Sequence, residues 1–313
     1  MKGMELSKLF YEEQVRPMLE QKFPDLLPRM ATGLVGEGSQ CFGYDDDLSQ
    51  DHDWGAAVCI WLTLDDYETY GAAVQQALLE LPRGFRGYPV SWISGRNGVL
   101  EIGAWYRKYL AVDGIPMTIG QWLNIPEHHL AVATNGQVFA DPLGKFTAIR
   151  QELQQGYPED IRKKKLAVRC MTIAQAGQYN YPRLMARGDK VAATLAEGEF
   201  ISAVISAVYL LNRQYTPFYK WMAYGVQCLP RLGRAIGDLL QQLSTFPAPG
   251  TAEEDYYVHK IELMQQICAT LVTELQRQGL SDSNDLFFVE QGMQVHKRIV
   301  HLGLRDSNPW SEK

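Results

Sequence analysis

Residues 45–53 read "DDDLSQDHD", five aspartates in nine positions, and the chain runs on at once into the apolar "WGAAVCIWLTL". Like charges this close repel, and burying them unpaired costs several kcal/mol. The apolar run reads as a buried strand. A fold that accepts both must deliver the aspartates at the mouth of that strand, either to water on a loop or to a cation. Calcium in an EF-hand loop is excluded by register, because such a loop needs glycine at its sixth position and glutamate at its twelfth. Started at Asp45 those positions hold Gln50 and Ala56, and started at Asp47 they hold His52 and Val58.

Asp51 and Asp53 abut the apolar run, so both are expected at the start of the strand. Two residues apart, they point to one face and His52 to the other. Two adjacent carboxylates make a hard oxygen site suited to Mg²⁺. Asp45, Asp46 and Asp47 precede the strand and are expected on a solvated acidic turn. Upstream, "GLVGEGS" ends a short strand in Gly38-Ser39. Glycine there lets a phosphate approach the backbone, and the amides that follow, with the Ser39 hydroxyl, can hold phosphate oxygens, more so where a helix begins.

The rest of the chain separates by period. "ELSKLFYEEQVRPMLEQKF" is an amphipathic helix, "YETYGAAVQQALLEL" a second, and "GVLEIGAWY" alternates as a strand that carries Glu101. From about Asp141 the pattern is almost wholly helical, broken by the loop "FPAPGTAEED". The expectation is an α+β chain: a small mixed sheet flanked by helices over residues 1–140, then a helical bundle over 141–313. A length of 313 residues suits about two domains, and 46% hydrophobic residues argue against disorder. A net charge of −6 disfavours a nucleic-acid partner gripped through a broad basic surface. The five cysteines are scattered, with no C-x-x-C, so neither a disulfide framework nor a zinc site of that type is expected. With no apolar leader and no run of about 18 apolar residues, the expectation is a cytoplasmic protein with no membrane partner. Neither a P-loop nor a Rossmann glycine motif occurs.

A strand, a Gly-Ser turn, a gap of about a dozen residues and an Asp-x-Asp at a second strand resemble the nucleotidyltransferase superfamily, the fold shared by DNA polymerase β and the aminoglycoside and lincosamide nucleotidyltransferases. The matching positions are Gly38, Ser39, Asp51 and Asp53, with Glu101 as candidate third carboxylate. His52 stands where an apolar residue is usual, and Gln50 where a serine often precedes the first aspartate. "DPLGKFTAIRQEL", "AGQYNYPRLMARGDKVAA", "LLNRQYTPFYKW" and "HKIELMQQI" look like a bacterial branch of the superfamily named only as a domain of unknown function, DUF4037.

The resemblance implies transfer of a nucleoside monophosphate from ATP or another nucleoside triphosphate to an acceptor hydroxyl, with release of pyrophosphate. Asp51, Asp53 and Glu101 would be the catalytic and metal-holding carboxylates, with two Mg²⁺ ions, and Glu101 either ligates the second ion or takes the acceptor proton. Gly38 and Ser39 would hold the β,γ-phosphates, and the helical domain would add cations and substrate walls: Lys190 first, then Lys220 and Arg187. A small hydroxylated acceptor is favoured over nucleic acid by the acidic composition. Nucleotidylation of a protein hydroxyl and a non-catalytic nucleotide-binding module are the alternatives. A polycationic acceptor drawn to Asp45–Asp47 is a further expectation. "RKKK" at 162–165 is expected to spread around a helix and be solvated. The aromatics of "YTPFYKW" are expected in packing, and "EHH" at 127–129 and the lone His259, His296 and His301 as structural.

Overall fold

The structure, a computed structural model, describes residues 1–50, 54–248 and 252–312. It divides into two compact units, Met1–Gln155 and Gly156–Lys313.

The first unit is built on a four-stranded sheet of order β5-β2-β1-β6, with β1 at Ala31–Leu34, β2 at Cys59–Leu62, β5 at Gly98–Glu101 and β6 at Gln137–Ala140. A two-stranded hairpin, β3 Gly84–Phe85 and β4 Tyr88–Pro89, stands beside it. β1 pairs antiparallel with β2 (Ala31↔Trp61, Gly33↔Cys59) and with β6, and β2 pairs parallel with β5 (Cys59↔Gly98, Leu62↔Glu101). The mixed sheet and its flanking helices are the expected α+β class. Every residue of β2 is buried on both faces, which is why it reads as an unbroken apolar run rather than an alternation. One face packs on the opening helical stretch through Leu6, Phe10, Val15 and Leu19. On the other, Trp61 stacks on Phe146 at 4.0 Å between centroids and meets Trp105 edge-on at 5.7 Å. Gly33 is required by contact: a Cβ there would lie 2.4 Å from the Gln137 carbonyl oxygen on β6.

The boundary falls after Gln155 rather than after residue 140. The helical period that starts at Asp141 belongs at first to Lys145–Leu153, whose Phe146 fills the sheet's core. A period shift therefore marked a change of element and not a change of domain.

The second unit is helical. Glu159–Ile173 runs through its middle, packed between Lys190–Leu211 and Phe288–Lys297, and Tyr181–Ala186, Tyr219–Gln227, Gly233–Leu243 and Glu253–Arg277 complete the bundle. Lys190–Leu211 is, among the described residues, long and apolar enough to cross a bilayer, and half of its most apolar window is buried inside the protein. Its run Ala203–Leu211 is core throughout.

Candidate functional site

β1 leaves the sheet into a turn whose backbone only glycine adopts readily. Gly36 has φ 139° and Gly38 φ 113°, ψ 149°, in a region that side chains exclude. A four-residue helix, Ser39–Phe42, follows at once and ends on left-handed Gly43. The turn is held from below by Asn135, at the end of the helix Glu127–Thr134. The Gly36 amide donates to its Oδ1 at 3.0 Å, and its Nδ2 donates to the Gly36 carbonyl at 2.7 Å. The neighbouring Gly136 amide donates to the Cys41 carbonyl at 2.8 Å. Gly38 and Ser39 are thus presented on a preset loop, and the Ser39 hydroxyl makes no hydrogen bond among the described residues.

The cations beside this turn come from the same unit. Glu37 lies 3.3 Å from Arg96 Nε and 3.2 Å from Lys108 Nζ, and accepts from the Tyr109 hydroxyl at 3.2 Å. Lys108 also donates to the Gly95 carbonyl at 3.1 Å. Burial works to raise the Glu37 pKa, but Lys108 and Arg96 overcome it and hold the carboxyl below the ordinary glutamate value. Burial and Glu37 together push the Tyr109 phenol well above its usual range. Arg96 and Lys108 were not singled out from the sequence. Arg96 sits in a turn and Lys108 on the helix Ile102–Leu110, both distant in sequence from the Glu37 they meet.

Asp51 and Asp53 lie outside the described residues. Glu101 does not join the turn. Because β1 is antiparallel to β2, the exit of β1 lies beside the entry of β2, while Glu101 pairs with Leu62 at the exit of β2. The two features sit at opposite ends of the sheet. The Glu101 carboxylate caps its own helix, accepting from the amides of Gly103 at 2.6 Å and of Ala104. The alternating pattern that suggested a strand through Glu101 ends at that residue, and its side chain answers the open amides of the helix start. Among the described residues no group of three His, Cys, Asp or Glu side chains is placed to hold a metal.

The acidic run divides. Asp46 forms a local cap with Ser49, accepting from its amide and hydroxyl at 2.9 Å each, and its pKa is lowered by those bonds. Asp47 is exposed. Asp45, expected on a solvated turn, is instead 2% exposed. It accepts from the Gly3 amide at 2.7 Å and the Trp54 indole at 3.2 Å, with Lys2 3.9 Å away. It ties the first helix to the loop that leads into β2.

In the second unit, Lys190 opens the helix Lys190–Leu211, which Asp189 caps through the Ala192 amide at 3.1 Å. Arg187 is exposed just before it, and Lys220 lies 4.9 Å over the Trp221 ring. Tyr215 is core, edge-on to Tyr157 at 4.9 Å, while Tyr219 is 73% exposed. The run 162–165 is not solvated. Arg162, Lys164 and Lys165 are at most 2% exposed, because Glu159–Ile173 is enclosed by helices and by the segment after Leu302 and has no water-facing side. Their stems run to acceptors: Lys164 reaches Ser307 Oγ and the Asn308 carbonyl at 2.6 Å each, and Lys165 reaches Glu312 at 2.7 Å. His129 and His296 are held in packing: His129 Nδ1 lies 3.0 Å from the Tyr109 carbonyl, and His296 Nε2 2.8 Å from that of Arg305. All five cysteines are free.

No protein of curated function matches the sequence. A crystal structure of a nucleotidyltransferase-like protein from Exiguobacterium sibiricum 255-15 is similar over 86% of this chain and 81% of that one, at 11% identity and a TM-score of 0.38. At that score the likeness is loose. Residues 122–222 match the family profile described as a domain of unknown function (DUF4037). That span holds three of the four sequence blocks that resemble this family and leaves out "HKIELMQQI" and the Gly38–Ser39 turn. The match to that family is thus confined to residues 122–222 of the 313.

Proposed function

We propose that the protein is a nucleotidyltransferase that moves a nucleoside monophosphate from a nucleoside triphosphate, ATP first, to a hydroxyl of a small molecule. The observation that carries this is the turn Gly36–Ser39, a glycine-only backbone held by Asn135 at the exit of β1, beside the entry of the strand that follows Asp51 and Asp53. Phosphate oxygens approach such a backbone without meeting a side chain. The Ser39 hydroxyl is at hand for them, and Arg96 and Lys108, paired with Glu37 of the same turn, bring positive charge to it. In this reading the triphosphate tail rests on Gly38 and Ser39. The cations of this reading are those of the first unit, Arg96 and Lys108.

Mg²⁺ would be held by Asp51 and Asp53, and bound there it would neutralise phosphate charge. The described residues do not fit the second ion, because Glu101 is spent on its helix amides, so no role is assigned to a second ion or to Glu101 as acceptor base. That displacement also favours a second reading, a nucleotide-binding module without turnover.

Isothermal titration with a panel of nucleoside triphosphates, with and without Mg²⁺, on wild type and on Asp51→Asn/Asp53→Asn, tests the binding step. Pyrophosphate release with hydroxylated small molecules, and transfer of label to a protein band in lysate, separate the two acceptor classes. Mg²⁺-dependent binding lost in the double variant, together with pyrophosphate release, supports transfer. Binding without release under any acceptor supports the module. Absence of binding at millimolar triphosphate refutes both.

A further inference from the structure

Arg150, on the helix Lys145–Leu153, is 8% exposed and is the single buried cation among the described residues of the first unit. Its Nη2 donates to the Gly136 carbonyl at 3.0 Å, while its Nη1 is buried with no hydrogen-bond partner among the described residues. Burial pulls its pKa below the usual arginine value, and the groups that oppose this are Tyr106 and Cys41, not a carboxylate. The buried cations of the second unit are placed differently. Arg162, Lys165 and Lys260 each meet a carboxylate, of Glu159, Glu312 and Glu197, and Lys164 meets two neutral acceptors. A buried charge without a counter-charge is among the costliest arrangements a fold can hold.

The place of this charge gives it a use. Gly136, which the guanidinium holds, donates its own amide to the Cys41 carbonyl, two residues past Ser39. Its neighbour Asn135 holds Gly36. A Cβ on Gly136 would collide with the Leu34 carbonyl, so this segment lies directly against the end of β1. Arg150 is therefore fixed at the support of the glycine turn, which is braced on both sides of Gly38. Cys41 is near enough to act on the Arg150 charge.

We infer that Arg150 is a positioning residue whose buried charge is matched by a chain of phosphates held on the Gly36–Ser39 turn. This rests on the reading of that turn as a phosphate seat. The guanidinium acts without touching the ligand, because a charge in a water-poor interior is weakly screened and reaches across several ångström. The cost of stripping its water falls on folding and not on binding, so the positive field is in place when the anion arrives. Every further phosphate charge gains from that field, which favours a polyphosphate over a single phosphate.

Titration calorimetry on the full chain, at one fixed Mg²⁺ concentration, tests it with pyrophosphate, tripolyphosphate, AMP and ATP. Arg150→Gln keeps a donor for the Gly136 carbonyl and removes the charge, whereas Arg150→Lys keeps the charge. Arg150→Gln should weaken tripolyphosphate and ATP at least tenfold and AMP less than threefold, and Arg150→Lys should stay within threefold of wild type for each. Without ligand, Arg150→Gln should unfold on heating no earlier than wild type. A residue that only braced the loop would lose AMP and ATP by the same factor, and that result overturns the inference. So does equal loss in Arg150→Gln and Arg150→Lys, or an Arg150→Gln chain that fails to fold while Arg150→Lys folds. Absence of polyphosphate binding to wild type at millimolar concentration overturns it too. Equal ATP affinity in wild type and Arg150→Gln refutes the role of Arg150 and leaves the nucleotide reading standing. Tripolyphosphate binding that needs the Arg150 charge, with ATP bound no more tightly than tripolyphosphate, upholds the role and removes the nucleotide.

Discussion

Glu312 sits between two cations on the central helix, 2.7 Å from Lys165 Nζ and 2.6 Å from Arg169 Nη1. Lys165 is 2% exposed, Arg169 21% and Glu312 23% at the side chain, so water screens these pairs little. Removing one partner of a buried pair costs about 3–5 kcal/mol. Glu312→Gln keeps an acceptor and removes only the charge, and Arg169 retains its bond to Ser206 at 2.8 Å. We therefore expect a loss of about 2–3 kcal/mol at pH 7, a reduced fraction of the full penalty. Urea unfolding followed by far-UV circular dichroism reads it. Burial raises the Glu312 pKa, but Arg169 and Lys165 more than reverse this and hold it below the ordinary value. A depressed carboxyl stabilises the fold above its unfolded pKa, near 4.3. That contribution is lost as pH falls through the lower folded value. The difference between wild type and Glu312→Gln should thus be flat from neutral pH to about 5 and shrink below about 4. Lys165→Met in the Glu312→Gln background should recover part of the loss. A loss under about 0.5 kcal/mol at pH 7, the scale of an exposed pair, or a difference that does not shrink in acid, would refute the view that these cations are buried and paired.

The other predictions concern the first unit. Asn135→Ala removes both bonds to buried Gly36; it should cost about 1–3 kcal/mol in chemical unfolding and weaken triphosphate binding more than tenfold in calorimetry. Gly38→Ala places a side chain at φ 113° and should cost about 1–3 kcal/mol and abolish triphosphate binding in the same titration. Glu101→Ala deletes a helix cap and should cost about 0.5–2 kcal/mol; unchanged triphosphate and Mg²⁺ affinity is expected, and a loss of Mg²⁺ affinity would return Glu101 to the metal. Lys108→Met removes one of the cations paired with Glu37, so triphosphate affinity should fall severalfold in the same titration, and an unchanged affinity would detach Lys108 from the phosphate site.

Much of the first unit was legible locally. β2, buried on both faces, reads as the unbroken apolar "CIWL", and the glycines at 36 and 38 announce backbone that other residues avoid. The fate of Glu101 was not legible. Its carboxylate and its strand are both plain in the sequence, but whether the strand runs parallel or antiparallel to β2 decides which end of the sheet the residue reaches. The parallel pairing sends it away from Gly38. The same holds for Arg96 and Lys108, whose approach to Glu37 depends on how a helix lies against the sheet.

Charge was the least legible quantity, because a run of like residues does not state its surroundings. Asp45 and Asp46 are adjacent and chemically identical. One is buried under the first helix and the other caps a turn in water. "RKKK" would be solvated on an outer helix, and it is buried because Glu159–Ile173 is enclosed on every side. By itself the sequence determined which segments form strands, helices and the glycine turn, since period and backbone restriction act over neighbouring residues. The tertiary structure alone decided which charges meet and which are buried. Those depend on pairings between residues far apart in the chain, such as Lys165 with Glu312 and Glu197 with Lys260.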